Sequence, residues 1–162
     1  MTEQPAKRKM IPYTRSVHPV ATESRSIQRL PLATSADTGG QLTCNETLLY
    51  PGYEPPAHTH TREDESFYIL EGSLTFTVGA QTLSAAPGTF VWLPRTIQHG
   101  FTVDTNSARV LINIMPANLE RYFEQMAQLF QSEHVVARPY QPAFYQKWQE
   151  LSQQFGITLA PL

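Results

Sequence analysis

Short hydrophobic runs dominate the chain between residues 27 and 115, where Gly, Pro, Asn and Asp separate them at intervals of roughly 8 to 12 residues. Runs with this spacing are typical of an antiparallel β-sandwich or barrel. In Leu74–Val78, apolar and polar residues alternate, which predicts a strand with one buried and one solvated face. We therefore predict an all-β fold with strands at 27–33, 41–49, 55–59, 65–71, 73–78, 81–84, 89–93, 99–104 and 108–115.

After Pro116 the hydrophobic spacing lengthens to that of amphipathic helices. We predict two C-terminal helices, with Asn118 as the N-cap of the first and Gly156 as the C′ residue that ends the second. We expect their apolar faces to pack against the sheet or a partner subunit rather than to line a ligand pocket. These faces carry Leu119, Phe123, Met126 and Phe130, and Phe144, Trp148, Leu151 and Phe155.

The chain length of 162 residues fits one domain. Residues 1–26 contain Lys7, Arg8 and Lys9 and lack hydrophobic periodicity, which predicts an extended N-terminal arm with a solvated basic patch. The predicted organisation is therefore an arm over 1–26, a β-barrel over 27–115 and a helical extension over 116–162.

Composition and charge exclude several classes of protein. A hydrophobic fraction of 41% argues against a disordered chain, and a net charge of −2 argues against a nucleic-acid partner. A single cysteine, Cys44, cannot close an intrachain disulfide. The sequence also lacks the run of about 18 apolar residues that crosses a bilayer and the apolar centre of a signal peptide. We therefore expect a cytoplasmic protein without a membrane partner.

The segment that points to chemistry contains two histidines and a nearby glutamate. His58 and His60 are two residues apart, so on a strand both imidazoles lie on the same face. Glu65 shares its parity with two apolar residues of the next predicted strand and is expected to point inward as well. A buried carboxylate is costly unless a cation or a donor meets it, and a metal ion would fulfil that role.

A third histidine is expected to reach the same cavity. His99 shares a strand face with Phe101 and Val103, so its imidazole should also point inward. Imidazole nitrogen together with carboxylate oxygen suits divalent transition metals such as Fe, Mn, Ni, Cu, Co and Zn. His18 and His134 have no such support and are expected to be exposed.

These residues carry a resemblance to the cupin superfamily. The first cupin motif, G(X)5HXH(X)3,4E(X)6G, is matched at Gly52, His58, His60, Glu65 and Gly72. The second motif, G(X)5PXG(X)2H(X)3N, is matched at Gly88, Pro94 and His99, with Thr96 where Gly is usual and Val103 where Asn is usual. The chain resembles the small monocupins that are labelled quercetin-dioxygenase-like.

The resemblance implies a double-stranded β-helix, a homodimer, and one divalent transition metal per subunit held by His58, His60, Glu65 and His99. Glu63 has the same parity as Glu65, but only Glu65 meets the motif spacing and opens a hydrophobic strand. We therefore predict Glu65 as the ligand and Glu63 as part of a solvated turn pair with Arg62.

The leading functional hypothesis is a metal-dependent dioxygenase that takes a small-molecule substrate and O₂. Glu65 would act as a ligand or as a base for the substrate hydroxyl. One alternative is a metal-containing binding module without turnover. The other is an isomerase, decarboxylase or lyase for a small acid, which would require a cation such as Arg95 or Arg109 inside the cup. Candidates for the aromatic wall around the substrate are Phe67, Phe76, Phe90, Trp92 and Phe101.

Overall fold

A computed structural model describes residues 11–18, 27–135 and 139–162 of the chain. These residues form ten strands and three helices. The elements in chain order are β1 (Gln28–Ala33), α1 (Ser35–Thr38), β2 (Thr43–Leu49), β3 (His58–His60), β4 (Asp64–Glu71), β5 (Leu74–Val78), β6 (Gln81–Ala85), β7 (Phe90–Leu93), β8 (His99–Val103), β9 (Ala108–Met115), α2 (Glu120–Ser132), α3 (Pro142–Gln154) and β10 (Ile157–Leu159).

The strands form two five-stranded antiparallel sheets. The first sheet has the order β1-β2-β9-β4-β7, and the second has the order β10-β3-β8-β5-β6. Side chains from the two sheets meet in one hydrophobic core, as Phe67 of β4 and Phe76 of β5 show by a ring separation of 5.1 Å. The predicted all-β barrel of double-stranded β-helix type, with two C-terminal helices, is confirmed.

Alternation of apolar and polar residues fixes which strand face is buried. On β5, Leu74 and Phe76 are fully buried, as the pattern predicts. On β9, Val110, Ile112 and Ile114 point into the core while the residues between them are only partly buried. Each fully buried side chain of this size contributes about 1.5–3 kcal/mol of transfer free energy, so the period-two pattern both sets the register and stabilises the barrel.

The two C-terminal helices pack on each other through aromatic and polar contacts. Trp148 of α3 donates its indole N–H to the hydroxyl of Tyr122 on α2 at 3.0 Å, and that hydroxyl also lies 3.0 Å from Ser152 Oγ. Helix α2 begins at Glu120 with Leu119 at the N-cap, so the prediction of Asn118 as N-cap is wrong. The side chain of Asn118 instead donates a hydrogen bond to Glu63.

After α3 the chain returns to the second sheet. Gly156 follows the C-cap residue Phe155 and adopts φ +76°, which confirms it as the C′ residue. A Cβ at Gly156 would lie 2.5 Å from Thr61 Oγ1, so the position excludes other residues on steric grounds as well. The following strand, β10, pairs with β3 and had not been predicted, because three residues are too few to show periodicity.

The described part of the N-terminal segment, residues 11–18, has no helix or strand and runs beside β1. Tyr13 donates to the carbonyl of Leu32 at 2.8 Å, and Arg15 pairs with Asp37 at 3.1 Å. The basic patch at Lys7–Lys9 lies outside the described residues, and the division of the chain at residues 26 and 115 stays a prediction. No helix in the described ranges is long and apolar enough to cross a membrane.

Candidate metal centre

Four side chains from three strands converge at one end of the barrel. His58 and His60 lie on β3, and His99 lies directly opposite His58 on β8. Glu65 reaches the same point from β4 in the other sheet. The candidate ligand atoms of these four residues, which we call the His/Glu cluster, all lie within 4.8 Å of one another. The strand parity predicted from sequence therefore brings the four residues together.

The histidine tautomers follow from the hydrogen bonds made by their other ring nitrogens. His58 Nδ1 lies 2.8 Å from the carbonyl oxygen of Pro56, and His99 Nδ1 lies 3.0 Å from that of Ile97. A carbonyl oxygen only accepts, so both Nδ1 atoms carry the proton and both Nε2 atoms present a lone pair to the cluster. This arrangement orients imidazoles for metal binding.

Several polar atoms of the cluster are buried without a hydrogen-bond partner. Among the described residues, these atoms include His60 Nε2 and His99 Nε2. An unsatisfied buried polar atom costs about 1–3 kcal/mol. A divalent ion with bonds of about 2.0–2.2 Å would satisfy these lone pairs after small side-chain movements. The cluster therefore could hold a metal ion.

The charge state of the cluster also suits a cation. Burial alone would raise the pKa of Glu65, but His99, His60 and His58 outweigh it and lower the pKa below its ordinary value. Burial, with His60 and His99 nearby, lowers the pKa of His58 to about 4. At neutral pH the cluster therefore presents an anionic carboxylate beside a neutral His58 imidazole, the protonation states required for binding borderline divalent metals.

Glu63 is not a solvated turn residue, and that prediction is wrong. Its side chain is fully buried, with Oε2 3.6 Å from His60 Nδ1 and Oε1 accepting from Asn118 at 3.3 Å. The cause is tertiary, because the segment preceding α2 covers the turn and brings Asn118 onto it. Glu63 thus sits behind His60, where a carboxylate can orient the imidazole.

Thr96 shows why glycine is usual at its position in the second motif. It adopts φ +67°, in the left-handed region that β-branched residues avoid. In this conformation its backbone N–H donates to the carbonyl of His60 at 2.7 Å. The turn between β7 and β8 thereby holds the strand that carries two of the histidines, at the expense of local backbone strain.

A cavity of about 350 Å³ extends from the His/Glu cluster. Two of the residues proposed for the substrate wall, Phe67 and Phe101, line it. Both C-terminal helices pack their apolar faces against the core, as expected, but several residues of these faces also line the cavity, which was not expected. The helix residues that line the cavity are Tyr122, Phe123, Met126, Ala127, Phe130 and Trp148.

Three of the predicted wall residues lie elsewhere. Phe76 is fully buried and packs behind Phe67 and Phe101, at ring distances of 5.1 and 5.8 Å, so it belongs to the core. Phe90 and Trp92 of β7 are 58% and 45% exposed on the outer face. Because β7 turns Val91 and Leu93 inward, the strand parity excludes its two aromatic residues from the cavity.

The cationic residue that lines the cavity is neither of the two arginines predicted from the sequence. Arg95 pairs with Asp64, and Arg109 pairs with Glu46 and Glu71, so neither predicted arginine faces the cavity. Arg29 of β1 lines it instead. Arg29 shares its strand parity with Ile27, which also lines the cavity, so the sequence places both side chains on one face of β1. Nothing in the sequence indicates that this face of an edge strand borders the site.

Comparisons with known proteins agree with this architecture. Residues 45–115 match the family model described as a cupin domain. The chain is 23% identical over 108 residues to the quercetin 2,3-dioxygenase of Bacillus subtilis, a match that covers 67% of this chain but only 32% of that relative.

Solved structures show the same fold. The TT1209 protein of Thermus thermophilus superposes with a TM-score of 0.50 at 25% identity, over 56% of this chain and 84% of that one. KdgF from a Halomonas species gives a TM-score of 0.52 at 20% identity, over 61% of this chain and 86% of that one. Residues 45–115 therefore form a cupin domain, and both motif segments lie within it.

Proposed function

We propose that this protein is a metal-dependent dioxygenase that acts on a small aromatic or enolic substrate. The observation that carries the proposal is the position of the His/Glu cluster at the end of an aromatic-lined cavity. A site of this kind binds the metal through its polar end and the flat, apolar part of a substrate through its walls. The likeness to the quercetin dioxygenase of Bacillus subtilis supports the same reaction class.

Each part of the site has a proposed role. His58, His60 and His99 would hold one divalent ion, and Glu65 would complete the set or accept the proton of a substrate hydroxyl. A bound transition metal supplies a Lewis acid for an enolate or catecholate oxygen and, as iron, manganese, nickel or copper, a partner for O₂. Dioxygenation places both atoms of O₂ in the product, so it needs no external reductant.

The aromatic wall would orient the substrate and exclude water. Phe67 and Phe101 are 5.4 Å apart between ring centroids and line the cavity together with residues of both helices. An aromatic ring between these surfaces would be held by packing in a low-dielectric environment. We further propose a homodimer, as expected from the family resemblance.

The test is oxygen uptake by protein loaded in turn with Fe, Mn, Ni, Cu and Co, with a panel of flavonols and β-diketones, and with the Zn form as the redox-inactive control. O₂ consumption matched to substrate loss is the expected result. His58→Ala should lose it, and His134→Ala, which changes an exposed histidine outside the cluster, should keep it. Binding of the substrates without O₂ consumption in any metal form would contradict the proposal and favour a binding module.

A second candidate, an isomerase, decarboxylase or lyase for a small acid, is favoured by Arg29 in the cavity wall. In the same experiment it would appear as substrate loss without O₂ uptake when small carboxylic acids are included in the panel.

A further inference from the structure

Arg29 occupies an unusual position for an arginine in a small barrel. Its side chain is partly buried and lines the apolar cavity that also contains the His/Glu cluster. Within the described part of the chain, no carboxylate lies within ion-pair distance of Arg29, whereas Arg15, Arg95 and Arg109 each have one. A guanidinium without a close counter-ion in such a place leaves its donors available to a ligand.

The position of the guanidinium is fixed by an aromatic neighbour. Its central carbon lies 4.5 Å from the ring centroid of Phe123 on α2, within the range of a cation–π contact. A guanidinium in a cation–π contact can still donate hydrogen bonds from its N–H groups to a ligand. Arg29 thus lies between β1 and α2, and among the described residues Glu65 acts on its charge only from beyond ion-pair distance.

A second polar group lies on the same face of the sheet. Thr47 of β2 is directly opposite Arg29 in the β1–β2 register, and both side chains line the cavity. Thr47 is 1% exposed, and its Oγ1 has no hydrogen-bond partner among the described residues. A buried hydroxyl without a partner, beside a guanidinium without an ion-paired carboxylate, forms an incomplete polar pair in a wall that is mainly apolar away from the His/Glu cluster.

These observations define the chemistry of the missing partner. A carboxylate matches the fork of a guanidinium with two parallel hydrogen bonds and can accept a third from a hydroxyl. An arginine fork also binds phosphate, but a phosphate carries more charge and more acceptor oxygens to be left without partners in a mainly apolar wall, so a carboxylate is the better match. Because Phe67, Phe101 and aromatic residues of both helices line much of the cavity, a ligand with a flat apolar body fits it best.

We propose that Arg29 and Thr47 form a carboxylate subsite, and that the substrate is an aromatic or enolic acid whose carboxylate binds there while its oxygen donors face the His/Glu cluster. This inference rests on the proposed function in that it takes the cavity as the substrate site. It narrows the substrate class to acids, which both the dioxygenase and the acid-specific alternative allow.

The test measures binding, so it is independent of turnover. Protein loaded with Zn²⁺ is titrated calorimetrically with two matched pairs of probes, 3,4-dihydroxybenzoate against its neutral amide and 3-(3,4-dihydroxyphenyl)propionate against its amide. The catechol end suits the metal, and the two lengths sample the span to Arg29. We expect at least one acid to bind tenfold or more tightly than its amide.

The variants separate a subsite from a structural role. Arg29→Met should weaken the preferred acid about 10- to 100-fold and leave its amide within about twofold, and Arg29→Lys should retain part of the preference. Arg121→Met, which removes an exposed arginine from α2, should change neither probe. Zn²⁺ stoichiometry and the unfolding midpoint are recorded for every variant, so that loss of metal or fold is recognised.

The proposal is overturned if acid and amide bind equally in both pairs, or if Arg29→Met, folded and loaded with Zn²⁺, weakens acid and amide alike. Acid preference without O₂ uptake by any metal form would support the subsite and contradict the dioxygenase. O₂ uptake with a neutral substrate, without any preference for acids in binding, would support the dioxygenase and contradict the carboxylate subsite.

Discussion

The two ends of the barrel are built from the same strands and have opposite chemistry. On β4, Glu65 and Ile69 share the inner face, yet Glu65 belongs to the His/Glu cluster and Ile69 to the hydrophobic core. On β8, the inner face changes in the same way from His99 to Val103. At the core end the side chains fill the barrel themselves, whereas at the cluster end helices α2 and α3 enclose a cavity.

Along the same strands, one end of the barrel stabilises the fold and the other end carries the candidate site. The core end contains Ile69, Leu74 and Phe76, all fully buried, and each of these side chains contributes about 1.5–3 kcal/mol of transfer free energy. The cluster end contains buried polar atoms without partners, which lower the stability of the metal-free protein. Such local conflicts are expected at functional sites.

The largest expected effect is on metal binding at the cluster end. His58→Ala removes one ligand, and we expect it to abolish stoichiometric metal in protein that still folds. Elemental analysis of purified protein, with circular dichroism as the folding check, makes the measurement. His134→Ala is the matched control and should keep full metal content. Full retention of metal by His58→Ala would contradict the ligand assignment.

At the core end the expected effect is on stability. Phe76→Ala leaves a cavity where the ring packs on Phe67 and Phe101, and should lower the free energy of unfolding by about 3–5 kcal/mol. Denaturant unfolding measures the change, with Phe90→Ala as the control because that ring is 58% exposed. If both variants lost stability equally, the contrast between the two ends would be lost.

A smaller effect is expected behind the cluster. Glu63→Gln removes the charge beside His60 Nδ1 without changing the size of the side chain, and should weaken metal affinity about 10- to 100-fold. Competition with a chromophoric chelator measures the affinity, and Glu124→Gln on the exposed side of α2 is the control. An unchanged affinity would show that Glu63 does not position His60.

The smallest effect is a pH dependence of the metal-free protein. The pKa of His58 is about 4 in the folded chain, below its ordinary value of 6.5, so the unfolded state binds the proton more readily. The free energy of unfolding should be highest above about pH 6.5 and should fall by on the order of 1–2 kcal/mol as the pH is lowered towards 4. The expected loss is this small because water in the cavity would partly solvate the protonated imidazole. Thermal unfolding of wild type and His58→Ala measures it, and an equal slope in both would exclude His58 as the cause.

The sequence predicts the barrel and the cluster for reasons that are local. Parity on a strand places His58 and His60 on one face whatever surrounds them, and the motif spacing distinguishes Glu65 from Glu63. The alternation in β5 is equally local, and its inner face is buried as predicted.

The parts that the sequence does not predict depend on tertiary packing. Glu63 is buried because the segment with Asn118 folds over it, and nothing near Glu63 in the sequence indicates that contact. The helices line a cavity rather than only a core, although their apolar stripes look the same in either case. Arg29 lines the cavity from an edge strand that the sequence does not connect with the site. Trp92 lies on the outer face of β7, because alternation along a strand does not say which of its two faces points inward.

The central claim is that four side chains share one metal ion, and anomalous X-ray diffraction from crystals of Co²⁺- or Zn²⁺-loaded protein tests it most directly. The account predicts one strong anomalous peak per chain, at about 2.0–2.2 Å from a nitrogen of each of His58, His60 and His99 and from an oxygen of Glu65. A peak at other residues, or no peak at this position at saturating metal, would contradict it.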